Sequence, residues 1–133
     1  MEKKYKYTKT TVSLVKYHFV FCPRYRRKIF NIPGFKERFK ELVSEACEEY
    51  EIEIINLSCG DDYVYIYVSV FPSMSIRDIM NCIKSCTTVT LRKEFEQLKA
   101  MPNLWTRNYF VTTESGVDQE TIQWYVNSQK KRP

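Results

Sequence analysis

Residues 61–70 read DDYVYIYVSV. Tyr63, Tyr65 and Tyr67 alternate with Val64, Ile66 and Val68. Successive side chains of an extended strand point to opposite faces. The stretch therefore reads as a strand with an aliphatic stripe on one side and three phenols on the other. The aliphatic stripe needs a cover, and the phenols need a reason to stand together.

Two segments with helical spacing can supply the cover. In residues 31–51 the stripe is Phe35, Phe39, Leu42, Val43, Ala46 and Tyr50. Ser75 and Asp78 have capping-box spacing and open a second helix, with Ile76, Ile79, Met80, Ile83, Thr87 and Leu91 on its apolar face. Residues 12–22, 51–58 and 104–113 are rich in β-branched and aromatic residues and predict further strands. Asp118 can cap a last helix over 119–131. The order is β-α-β-β-α-β plus a C-terminal helix. That predicts an α+β, ferredoxin-like antiparallel sheet with helices on one face. Val64, Ile66, Val68 and Val70 would lie under the helices, and the three tyrosines would face away. At 133 residues the chain is expected to form a single domain, 1–133.

Charge is unevenly placed. Residues 1–30 hold nine Lys or Arg and one Glu, a local charge of +8, whereas the whole chain carries +5, so the remainder nets −3. A basic segment on a mildly acidic body suits a polyanion. For Lys3 to Lys9 a solvated tail is an equal reading. In CPRYRRKIF, residues 22–30, cationic and aromatic side chains interleave. That mix suits phosphates and stacked bases, so Arg24, Arg26, Arg27 and Lys28 are candidate nucleic-acid contacts. Trp105, Arg107 and Tyr109 alternate on a predicted strand, which adds Arg107 as a phosphate contact and leaves Trp105 to the core or an interface. Tyr63, Tyr65 and Tyr67 suit two uses equally: a stacking platform for single-stranded nucleic acid, or a half-buried sheet or dimer surface. Asp61 and Asp62 read as turn formers.

Five cysteines, none in a CxxC pair, and an N-terminus without a long apolar run predict reduced thiols and a cytoplasmic protein with no membrane span. Cys82 and Cys86 lie four apart with no evident further ligand, so buried thiols are expected there.

Three stretches resemble the single-tyrosine HUH transposases of small insertion sequences, the insertion sequence two hundred type, with REP-associated tyrosine transposases as relatives. They are YHFVFCPRYRRKIF (17–30), LWTRNYFVTTESGV (104–117) and ETIQWYVNSQ (120–129). The resemblance implies an enzyme that cuts and rejoins single-stranded DNA through a 5′-phosphotyrosine. It implies Tyr125 as the ancestral nucleophile and Gln129 as the third ligand of a Mg²⁺ or Mn²⁺ ion. It also implies a homodimer in which strands of two subunits form one sheet. The family's other two ligands are histidines in a His-hydrophobic-His pattern, and here Tyr63 and Tyr65 stand in that slot. A phenol is neutral at pH 7 and a poor ligand for a hard cation. Substitution of one histidine by Asp61 would still leave two ligands missing.

The leading expectation is therefore a transposase-like protein that binds single-stranded or hairpin DNA as a homodimer, with cleavage lost or impaired and the ancestral cation not retained. The alternatives are an active transposase with an unusual metal site, an RNA-binding regulator using the aromatic sheet face, and a purely structural dimer.

Overall fold

A computed structural model describes residues 5–129. Strands β1 (Lys6–Tyr7) and β2 (Val12–Ser13) form a small hairpin. Strands β3 (Val15–Phe21), β4 (Glu53–Cys59), β5 (Val64–Val70) and β6 (Phe110–Thr112) form an antiparallel sheet in the order β4-β5-β3-β6. Helices α1 (Phe35–Glu49) and α2 (Ile76–Glu94) follow β3 and β5, and α3 (Gln119–Ser128) follows β6. This is the ferredoxin-like order read from the sequence.

The core lies between the sheet and the α1/α2 layer. Val64, Ile66, Val68 and Val70 are fully buried in it, opposite Phe19 and Phe21 of β3. α1 contributes Phe35, Phe39, Leu42, Val43, Ala46 and Cys47. Tyr50 does not join that stripe: α1 ends at Glu49, Tyr50 adopts the non-helical angles φ −98 and ψ 12, and its ring is exposed. The Ser75–Asp78 capping box forms as its spacing predicts, Ser75 Oγ accepting from the Asp78 N–H at 3.0 Å. α2 then buries Ile79, Met80, Ile83, Thr87 and Leu91.

Residues 104–113 are strand only from Phe110 onward. Trp105 makes one isolated bridge to Pro23 and drives its indole into the core, edge-on to Phe21, with its Nε1–H donating to Thr87 Oγ1 at 3.0 Å. The carbonyls of Thr106 and Asn108 turn toward the Lys84 ammonium instead of a neighbouring strand. Arg107 therefore sits on an exposed irregular segment, not on a strand face. α1 and α2 cover one face of the sheet as expected, and α3, to which the sequence reading gave no face, covers part of the opposite one. The last two residues of the helix predicted over 119–131 lie outside the described residues.

Candidate functional site

Alternation along β3 and β5 builds the site. Tyr17, Phe19 and Phe21 face the core, so His18, Val20 and Cys22 face the other way. On β5 the same face carries Tyr65 and Tyr67, and His18 pairs with Tyr67 in register. The His18 and Tyr67 rings stack at 3.9 Å with planes 5° apart. His18 Nδ1 lies 2.7 Å from the Tyr65 hydroxyl, a buried hydrogen bond in which either group can donate. Burial lowers the His18 pKa and raises that of Tyr65, the latter with a smaller contribution from Tyr67.

Tyr63 stands where the chain turns into β5. The turn closes through the Gly60 N–H to the Tyr63 carbonyl, and a Cβ at Gly60 would collide with the Tyr63 ring. Glycine is needed there for close approach.

α3 docks on this face. Asp118 caps it by accepting from the Thr121 N–H and hydroxyl, both at 2.9 Å. Ile122, Tyr125 and Val126 form one buried cluster with Val20, Cys22 and Tyr65, and Tyr63 packs at its margin. Gln119 Nε2 donates to the Tyr63 hydroxyl at 3.2 Å, and Phe110 lies 5.8 Å from the Tyr125 ring. The structure thus brings Tyr63, Tyr65 and Tyr125 together. Gln129 is buried one turn beyond Tyr125, but its side-chain amide donates to Ser128 Oγ at 3.4 Å, not to the tyrosine strand. Its Oε1 has no hydrogen-bond donor among the described residues.

The donor set does not fit the hard divalent cation that the family resemblance implies. Tyr63 and Tyr65, the expected ligand positions, offer phenols, and the Tyr65 hydroxyl is already bonded to His18 with its pKa raised by burial. Among the described residues no group of three His, Cys, Asp or Glu side chains is placed to hold a metal ion.

The basic turn reaches the same end of the sheet. The Arg24 N–H donates to the Leu104 carbonyl at 2.8 Å and the Thr106 N–H to the Cys22 carbonyl at 3.0 Å. These antiparallel bonds set Arg24 beside Leu104 and carry the turn toward Met101, which shares a cleft with Arg27 and Lys28. Tyr25 and Arg26 both have left-handed backbone, at φ 60 and 53, which costs of order 1 kcal/mol or more for each non-glycine residue. Arg26 in this conformation donates through Nε and Nη2 to Asp62 Oδ2, at 3.0 and 2.7 Å. Asp62 is therefore an ion-pair partner as well as a turn former, and Arg26 is not a free phosphate ligand. Arg27, Lys28 and Arg107 are exposed, and Arg24 is half-buried with its guanidinium 5.9 Å from the Tyr25 ring.

Two features were missed in the sequence. His18 could have been placed on the tyrosine face from the alternation of YHFVF. The Arg26–Asp62 pair had no local signal, because its partners are 36 residues apart.

Comparison with known proteins gives a consistent match. Residues 11–129 match the family model for IS200-like transposases. The transposase for insertion sequence element IS200 of Salmonella typhimurium is 31% identical over 118 residues, covering 86% of this chain and 76% of that protein. The ISDra2 transposase TnpA of Deinococcus radiodurans is 25% identical over 118 residues, covering 86% and 84%. A crystal structure from Deinococcus radiodurans, of a protein assigned as a transposase, superposes with TM-score 0.84 at 24% identity, covering 93% of this chain and 97% of that one. A REP-associated tyrosine transposase bound to a REP hairpin superposes with TM-score 0.57 at 10% identity, covering 99% and 75%.

Proposed function

The chain belongs to the IS200-like transposases, and from that premise we propose that it binds single-stranded or hairpin DNA while its strand-cleaving chemistry is lost or severely impaired. The carrying observation is the His18–Tyr65 hydrogen bond beneath α3. It engages the Tyr65 phenol, which packs in the same buried cluster as Tyr125 at the ancestral ligand strand. Tyr125 keeps the ancestral nucleophile position and Gln129 that of the relic third ligand, with Tyr63 and Tyr65 in place of the histidines.

Binding falls to the basic turn and its neighbour, through Arg24, Arg27, Lys28 and Arg107, with Arg26 available once Asp62 is displaced. The hairpin in the REP-associated relative supports a structured single strand as the ligand class. The working unit is proposed to be a homodimer of single-domain chains.

The test is a paired assay on one hairpin oligonucleotide: binding by anisotropy, and cleavage with Mg²⁺ or Mn²⁺. Binding without a covalent protein–DNA adduct is expected from the unaltered chain. Tyr63→His with Tyr65→His should bind Mn²⁺ in calorimetry and form an adduct that Tyr125→Phe abolishes. Metal-dependent nicking by the unaltered chain would overturn the loss of cleavage.

A further inference from the structure

α2 carries a polar stripe beside its apolar one. Arg77, Asn81, Lys84 and Thr88 follow one another at steps of four, three and four residues, so they share a helix face. Across from them runs the irregular segment that holds Asn103 and Arg107. Between the two lies a groove of about 690 Å³. Its lining includes Arg77, Lys84 and Arg107 and no aspartate or glutamate among the described residues.

The three cations are held differently. Lys84 Nζ donates to the Thr106 and Asn108 carbonyls at 2.8 and 3.5 Å and lies 5.5 and 5.3 Å from the Phe21 and Tyr109 ring centres. Burial pushes its pKa down to about 8, which still leaves it mostly protonated at pH 7. Arg77 and Arg107 are exposed and have no carboxylate partner among the described residues, whereas Arg26 and Arg38 do. One charge is fixed in the wall and two exposed ones stand on opposite sides of the groove.

The groove also has a neighbour of the same sign. Met101 borders a cleft with Arg27 and Lys28, and the next residue, Pro102, borders this groove. A single short segment therefore separates the basic turn from the groove, and neither lining holds an aspartate or glutamate among the described residues, which makes the two neighbours on a surface of one sign. A small anion would use one end of such a surface, and a chain of phosphates would use its length.

We infer that the groove between α2 and residues 102–109 holds the phosphodiester backbone of a bound nucleic acid, with Arg77 and Arg107 as its ionic contacts and Asn81, Thr88 and Asn103 as neutral donors. This deepens the DNA-binding reading and rests on it. The contacts are to phosphates, so they position the strand and carry no base preference.

The test is anisotropy of a labelled hairpin oligonucleotide with the full chain at 50 and 200 mM salt. Each phosphate contact contributes roughly 0.7–0.9 to the salt slope. Losing two should make the salt-induced drop in affinity about tenfold smaller, by the same slope. Arg77→Ala with Arg107→Ala is expected to show that flattening and weaker binding at low salt, equally for unrelated sequences. Its melting temperature controls for folding. An unchanged slope in a folded variant overturns the groove and leaves DNA binding intact. No binding by the unaltered chain overturns both. Inorganic phosphate that binds and is lost in the variant, while the oligonucleotide is unaffected, overturns the nucleic-acid assignment in favour of a small-anion site.

Discussion

His18 is the chain's only histidine, and its surroundings set a pH signature. Tyr65 and Tyr67 face it from β5, and Lys16 on its own strand lies 5.9 Å from the Tyr67 ring centre. Burial lowers its folded pKa below the unfolded value near 6.5. The unfolded chain then takes up a proton more readily than the folded one. The stability this group contributes is complete above about pH 6.5 and is lost as pH falls through the folded pKa. Denaturant melts should therefore weaken between pH 7.5 and 5, and His18→Gln should remove part of that slope. The depressed carboxylates Glu94 and Asp118 lose their contributions from the ordinary carboxylate range downward, at lower pH than the His18 window. A slope unchanged by His18→Gln would mean that the imidazole is solvated.

At the scale of elements, the turns at one end of the sheet decide what can meet a ligand. The 24–28 turn and the 60–63 turn are tied by Arg26 and Asp62, whose side chains are 26% and 17% exposed. Such a pair contributes up to about 1 kcal/mol. Asp62→Asn should cost that much in a thermal melt and release the Arg26 guanidinium. Oligonucleotide affinity should rise and the salt slope should steepen by about one phosphate contact. Unchanged binding would mean that the turn lies outside the interface. The irregular 102–109 segment matters for a related reason. Trp105 needs a hydrogen-bond partner for its buried N–H and finds it in Thr87 of α2, and Lys84 takes two carbonyls from the segment. Those three-dimensional demands shorten the predicted strand and leave Arg107 exposed on a groove rim.

For the whole molecule, the sheet has two edges, β4 and the three-residue β6. Unpaired edges are open to strand addition, which is how the proposed homodimer would extend the sheet. Equilibrium sedimentation should give twice the chain mass of 16.0 kDa, and the melting temperature should rise with protein concentration. A concentration-independent melt at monomer mass would sink the dimer. Among the described residues no helix is long and apolar enough to cross a membrane.

The sequence by itself determined the element order, the aliphatic face of β5 and the capping box, because each follows from period or spacing within a few residues. It also pointed to the family, since the 17–30, 104–117 and 120–129 stretches fall in the right order. The strand period put Tyr63 and Tyr65 on one face, so that much of the candidate site was legible too, whereas the docking of α3 that brings Tyr125 to them was not. Tertiary structure alone decided the rest. The Arg26–Asp62 pair, the His18–Tyr65 bond and the Trp105–Thr87 bond join residues 36, 47 and 18 positions apart. The groove at Lys84 exists because a buried ammonium must find oxygen acceptors and takes them from a segment that would otherwise be strand. Hydrogen-bond demands of buried polar groups are met wherever the fold brings a partner, and no local pattern records where that will be.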